Sequence, residues 1–126
     1  MKLTILGSNS NGNGYVIQNE DEALILEAGI DVLEAKKALD FNVSKVQGLL
    51  ITHEHIDHAK YAKKYQQSGF EIFASNGTLK DLKIKQNINN ANALLPNKLV
   101  NIGNFKVLPF FGKTRCKRAF WFFDTS

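Results

Sequence analysis

A chain of 126 residues, 44% hydrophobic, 22% charged and 10% aromatic, has enough apolar material for one globular domain or a large part of one, which excludes disorder along its whole length. Its single cysteine, Cys116, excludes an internal disulfide framework, and no stretch approaches the roughly 20 apolar residues of a membrane-spanning helix. The net charge is +4, yet Lys113, Arg115, Lys117 and Arg118 against Asp124 place +3 of it in residues 113–126, so the nearly neutral body makes no case for a polyanionic partner by charge alone. The run Met1 to Gly7 turns polar before a signal-peptide core can form, so the amino terminus reads as mature structure and the reducing cytoplasm is the expected location.

Lys2–Leu6 and Tyr15–Gln18 are β-prone runs joined by Ser8-Asn9-Ser10-Asn11-Gly12-Asn13-Gly14, a segment so rich in turn formers that it reads as a polar loop. Ala23-Leu24-Ile25-Leu26 is apolar at successive positions, the pattern of a strand buried on both faces, and Gly29 breaks it. Asp31 is placed to cap a helix ending near Asp40, with Val32, Ala35 and Leu39 inward and Glu34, Lys36 and Lys37 outward. Val46–Ile51 predicts a central strand that runs directly into Thr52-His53-Glu54-His55-Ile56-Asp57-His58. A helix is expected from Ile56 to Ser68, with Ala59, Ala62 and Tyr65 inward, closed by Ser68-Gly69.

Phe70–Ala74 reads as another strand, Asn76 or Thr78 to Leu82 as a short helix, and Asn87–Asn92 as a surface loop. Leu99–Ile102 and Phe105–Leu108, separated by Gly103-Asn104, read as a hairpin. The alternation of strands and helices gives an α/β class.

All three histidines fall within six residues, interleaved with carboxylates: His53-Glu54-His55-Ile56-Asp57-His58. On an extended segment residues two apart point to one side, so His53 and His55 can converge on one cation, while Asp57 and His58, on the first turn of a following helix, can reach a second. A solvated helix start is the blander reading, and four donors at the end of an apolar strand weigh against it. An HExxH metalloprotease helix is excluded, because Asp57 stands four residues after His53 where the second imidazole is required. Lys60, Lys63 and Lys64 have the spacing of an outward helix face, and Tyr61 and Tyr65 read as packing residues rather than stacking platforms.

Thr52 to His58 resembles the HxHxDH signature of the metallo-β-lactamase fold, a superfamily that includes β-lactamases, glyoxalase II, ribonuclease Z and exonucleases. Leu6 to Asn13 is similar to the opening loop of small bacterial and phage members related to the WalJ-type nucleases and phosphodiesterases. Leu24-Ile25-Leu26-Glu27-Ala28-Gly29 resembles the family's LIDAG-type strand end, with Glu27 where the family has Asp. The resemblance implies the N-terminal half of an αββα sandwich, a mixed sheet with covering helices. It implies His53 and His55 as ligands of a first metal, Asp57 and His58 as ligands of a second, and Asp57 as the catalytic residue that also orients water. Zinc is the first expectation, with manganese or iron as alternatives. The implied chemistry is hydrolysis, with a phosphodiester of nucleic acid as substrate and Ser8, Ser10 and backbone N–H groups of the opening loop against its phosphate.

A complete fold of this family takes on the order of 200 residues. The resemblance covers about residues 1–110 and lacks a later histidine, a bridging aspartate and a final histidine in register. Residues 1–112 therefore read as a partial domain and 113–126 as an atypical tail. One permissible codon set for that tail, read one nucleotide on, encodes a His-Asp pair before an apolar strand, which points to a frameshift near Phe110–Lys113; an authentic short protein is the competing view. Phe120–Phe123 would form an apolar patch favouring homo-oligomers if exposed. A truncated and inactive hydrolase, a noncatalytic metal- or nucleic-acid-binding module, and an interacting fragment are the functional alternatives.

Overall fold

A computed structural model describes residues 1–53, 55–111 and 119–124, with the backbone alone at 110, 111 and 119–124. Six strands form one sheet in sequence order: β1 (Lys2–Asn9), β2 (Gly12–Gln18), β3 (Ala23–Leu26), β4 (Val46–Leu50), β5 (Ile72–Ser75) and β6 (Asn92–Leu94). The first three pair antiparallel and β3 to β6 pair parallel, so the sheet is mixed. A second antiparallel sheet holds β7 (Val100–Ile102), β8 (Phe105–Phe111) and β9 (Ala119–Asp124). Helices α1 (Val32–Ala38), α2 (Ile56–Ala59), α3 (Ala62–Gln67) and α4 (Asn76–Gln86) supply the connections.

Two apolar cores make three layers of this arrangement. Val16, Ile25, Leu49, Ile51, Ile72 and Ala74 project from one face of the six-stranded sheet onto Val32, Ala35, Ala59, Ala62, Tyr65 and Leu82 of the helices. Leu24 and Leu50 project from the other face onto Ile102, Phe105 and Val107 of the second sheet. This is the α/β class with a mixed sheet that the alternation and the resemblance implied. Tyr65 is fully buried, its hydroxyl donating to the Ile30 carbonyl at 3.0 Å, and burial pushes its phenol pKa up.

The 31–40 helix and the 99–108 hairpin form as expected: Asp31 caps α1 by accepting from the Leu33 amide, and Ile102 pairs with Phe105 across a two-residue turn. Three elements differ. Residues 8–14 are no loop: β1 runs to Asn9 and β2 begins at Gly12, with Ser8 opposite Asn13 and only Ser10 and Asn11 turning. The glycines there serve close packing, since a Cβ at Gly7 would lie 2.7 Å from Ile30 Cδ1 and one at Gly12 2.5 Å from the Gly29 carbonyl oxygen. The 56–68 helix is split because the Tyr61 amide donates out of the helix to the Ala28 carbonyl at 2.8 Å. Finally, α4 runs past Leu82 to Gln86, and Asn92, expected in a loop, opens β6.

Of the tail, the backbone of Ala119–Asp124 pairs with β8, Pro109 opposite Trp121. Lys113, Arg115, Cys116, Lys117 and Arg118 lie outside the described residues, as do the side chains of Phe120–Phe123 on which the expected apolar patch rests. Among the described residues no helix is long and apolar enough to cross a membrane.

Candidate metal centre

The centre lies at the carboxyl ends of β3 and β4, where parallel strands release their chains side by side. Glu27 follows β3 with φ 68°, in the left-handed region, while its amide still donates to the Leu50 carbonyl at 2.8 Å. A non-glycine residue held there costs on the order of 1–3 kcal/mol and persists where its surroundings fix it. The surroundings are hydrogen bonds: the Thr52 amide donates to Glu27 Oε1 at 2.7 Å and the Thr52 hydroxyl to Oε2 at 2.9 Å. His58 Nδ1 also pairs with Glu27 Oε2.

The carboxylate only accepts, so its contact with His58 places a proton on Nδ1, while Nε2 of that ring lies 3.4 Å from both Asn13 Nδ2 and Asp57 Oδ2. The Thr52 hydroxyl spends its one proton on Glu27, so its 2.7 Å contact with His53 Nδ1 is a bond that the imidazole donates. One buried carboxylate thus holds His58 directly and His53 through the Thr52 hydroxyl.

Glu27, His53 and His58 offer donor atoms within 4.8 Å of one another. The rings of His53 and His58 lie 3.7 Å apart between centroids, and His55 stands edge-on to His53 at 5.0 Å. Asp57 Oδ2 is 3.4 Å from His58 Nε2, and Asn13 Nδ2 donates to the Asp57 carbonyl at 3.2 Å and to its Oδ2 at 3.3 Å. Imidazole nitrogens with a carboxylate beside them match the donor preference of zinc and related transition cations. Glu27 already accepts three hydrogen bonds and serves as the group that orients the imidazoles, while Asp57 is the more open carboxylate.

A tight backbone junction holds this geometry. Ala28 N donates to the His58 carbonyl at 2.7 Å and Gly29 N to the Asn13 carbonyl at 2.9 Å, drawing the β3 exit, the β2 start and α2 together. Only glycine fits at 29, because a Cβ there would sit 1.9 Å from the Asp57 carbonyl oxygen.

Of the residues singled out in the sequence, His53, Asp57 and His58 come together; His55, exposed and at the N-terminal boundary of α2, stands at the rim, and Glu54 lies outside the described residues. Ser8 and Ser10 are exposed, and the contact from their hairpin to the centre is made by Asn13. Thr52 and Asn13 were not singled out as participants, and Glu27 was recognised only through the strand-end resemblance. Its position after a four-residue apolar run, on a strand neighbouring the histidine-bearing one, is the signal that marks it. Lys63 donates to the Asn87 carbonyl at 2.8 Å and Lys64 pairs with Asp31 at 3.3 Å, whereas Lys60 shares a cleft with His55 and Asp57.

Residues 7–69, half of the chain, match the metallo-beta-lactamase superfamily. The chain is 35% identical over 72 residues to the exodeoxyribonuclease YycJ of Bacillus anthracis, a match covering 52% of this chain and 27% of that protein. It is 29% identical over 84 residues to the exodeoxyribonuclease WalJ of Streptococcus pneumoniae, covering 61% and 30%. The chain thus matches less than a third of the length of these curated relatives. Among solved structures, the metallo-beta-lactamase fold protein YhfI of Bacillus subtilis superposes with a TM-score of 0.73 at 16% identity, over 98% of this chain and 57% of that one. The subclass B3 metallo-beta-lactamase MEM-A1 from a soil metagenome gives 0.76 at 18%, over 98% and 55%. With the signature residues, the sheet order and the match over residues 7–69 in agreement, the chain belongs to the metallo-beta-lactamase superfamily.

Proposed function

We propose that this chain carries one half of a metal-dependent hydrolase centre that acts on phosphodiester bonds of nucleic acid. The observation that carries the reading is the Glu27 carboxylate bonded at once to Thr52 and His58, within a Glu27–His53–His58 group whose donor atoms lie within 4.8 Å of one another. His53, His55, Asp57 and His58 are the proposed ligands, with zinc ahead of manganese and iron. When bound, such a cation supplies Lewis acidity, lowering the pKa of water toward about 7 and polarising a phosphoryl oxygen. The chain's own part is to fix the imidazole tautomers through Glu27, to hold Asp57 beside them through Asn13, and to orient water through the Asp57 carboxylate. The nuclease names of the relatives YycJ and WalJ favour nucleic acid over an acyl substrate, and the single cysteine fits a cytoplasmic setting.

A noncatalytic metal-binding module is the second reading, favoured by one observation: among the described residues every candidate ligand comes from the ends of β3 and β4 and the start of α2. Metal analysis of the purified chain, followed by assays on labelled DNA and a generic phosphodiester, separates the two. The hydrolase reading expects bound metal together with turnover that His53→Ala and His58→Ala abolish. Stoichiometric metal with no turnover establishes the module instead, and no bound metal removes both.

A further inference from the structure

Beside the centre, α2 and α4 form the walls of an open cleft of about 830 Å³ lined by His55, Ile56, Asp57, Lys60, Asp81, Lys85 and Gln86. We propose that this cleft seats a nucleic-acid strand next to the hydrolytic centre, with Lys60 and Lys85 on the phosphate adjoining the one presented to His55 and Asp57. The inference rests on the nucleic-acid reading above and adds to it where the strand runs.

The walls are tied together and need not be assembled by a ligand. Gln86, the last residue of α4, donates from Nε2 to the Ala59 carbonyl at 2.8 Å and accepts the Lys63 amide at 3.2 Å, clamping α4 to the α2–α3 junction. Asp81 and Lys85, one helical turn apart, share one face of α4 and pair at 3.3 Å, while the Lys85 side chain stays 66% exposed. On the opposite wall Asp57 and Lys60 are three residues apart on α2, so the lysine shares a face with the centre.

Three lysines follow the histidine motif, and the structure separates them. Lys63 and Lys64 are engaged by Asn87 and Asp31. Among the described residues no carboxylate lies within ion-pair distance of Lys60, whose ammonium stands 5.4 Å from the centroid of the Tyr61 ring. Among the described residues Lys60 is the cation of the cleft with no carboxylate partner, while Lys85, 66% exposed, reaches a phosphate by exchanging its solvent-open pair with Asp81. Ile56, 73% exposed at its mouth, offers an apolar ledge to the sugar or base between two phosphates. One unpartnered lysine and one exposed, exchangeable lysine along a groove beside an apolar ledge suit a single strand better than a compact anion.

The test is an anisotropy titration of a fluorescein-labelled single-stranded oligodeoxynucleotide, over a series of salt concentrations and with zinc present. It compares wild type with the K60Q/K85Q double variant and with K63Q as a control of equal chemistry outside the cleft. The double variant is expected to bind about tenfold or more weakly and to lower the salt slope by about 1.4, roughly 0.7 for each phosphate contact to a single strand, while K63Q changes neither. If K60Q/K85Q weakens binding no more than K63Q while wild type binds, the cleft is overturned and the nucleic-acid reading stands. If inorganic phosphate displaces the strand at equal phosphate concentration, the site is a simple anion site and the strand claim falls. If wild type binds zinc but no oligonucleotide, both the nucleic-acid reading and the cleft fall. Melting curves on each variant check that the fold is unchanged, since Lys60 and Lys85 are exposed and Lys63 is half-buried.

Discussion

The two faces of the six-stranded sheet are covered to different extents. On the helix side Val16, Ile25, Leu49, Ile51, Ile72 and Ala74 are all fully buried, from β2 across to β5. On the other side the cross-strand register sets Ile5 opposite Tyr15, Tyr15 opposite Leu26, and Leu26 opposite Leu50, and burial changes along that row. Leu50 is inaccessible, Tyr15 and Leu26 are half-buried, and Ile5 is 62% exposed, as Leu3 is at 57% one step along β1. Among the described residues the second sheet therefore covers β3 to β6 and leaves β1 largely bare. The candidate metal centre stands over β3 and β4, where both faces are covered, so the scaffold beneath it is the best-packed part of the sheet.

The largest effect is expected where backbones meet. Gly29→Ala places a methyl group against the Asp57 carbonyl oxygen and the Asn13 amide, atoms that cannot move without shifting the centre. A cost of about 4 kcal/mol or more, or no folded protein, is expected. Gly77→Ala, in the first turn of α4 with nothing within 4 Å of the new Cβ, is expected to be neutral or stabilising by up to about 1 kcal/mol. Denaturant melts of the pair read this directly, and equal effects would remove the backbone junction as the feature that holds the centre.

Next in size is the contrast within one face. Leu50→Ala empties a fully buried site between the sheets and is expected to cost about 2–5 kcal/mol. Ile5→Ala, on the same face at the bare end, is expected to change stability by less than about 0.5 kcal/mol. Comparable losses at the two positions would mean that something covers β1 in solution.

Much of this face was legible in the sequence and much of the centre was not, for different reasons. Apolar runs such as Ala23–Leu26 report double burial directly, and the spacing of Val32, Ala35 and Leu39 reports a helix face. The glycines at 12 and 14 misled because turn propensity and tolerance of close packing look alike in a sequence; the positions of Gly29 and Ile30 distinguish them. The split of the 56–68 helix was invisible because it depends on the Ala28 carbonyl, a backbone group brought in from 33 residues away. The clustered histidines marked a candidate metal site, but Glu27 and Asn13 reach it through tertiary contacts that no local spacing encodes.

Smaller than the core losses is the effect expected at Glu27. Glu27→Gln keeps the side-chain shape but presents an amide N–H₂ where the Thr52 hydroxyl or His58 Nδ1 now donates, leaving a buried donor unmatched. A loss of about 1–3 kcal/mol in stability is expected. As the group that orients two imidazoles, its replacement is also expected to lower metal affinity about 10–100-fold. Zinc titration beside a melting curve separates these effects: lost stability with unaltered affinity would make Glu27 a support of the strand end alone.

A small effect is expected at the start of α1, on the well-covered helix side. Asp31 caps α1, and the Leu33 amide at 3.1 Å holds its carboxyl below the usual value of 3.8, against a small opposing effect of burial and with help from Lys64. Because the folded value is the lower one, the stabilisation is fully present above 3.8 and disappears as the pH falls through the folded value. Asp31→Ala is therefore expected to cost about 0.5–1 kcal/mol at neutral pH, and Asp31→Asn, which keeps a side-chain acceptor but no charge, less. The gap between wild type and Asp31→Asn should stay constant from neutral pH to about 5 and close in stronger acid. High salt should narrow it as well, since the Lys64 pair is open to solvent. A gap that instead closed between pH 6 and 7 would implicate an imidazole, and would mean that α1 and the histidine cluster are coupled through the Ala28–Asp31 connection rather than independent.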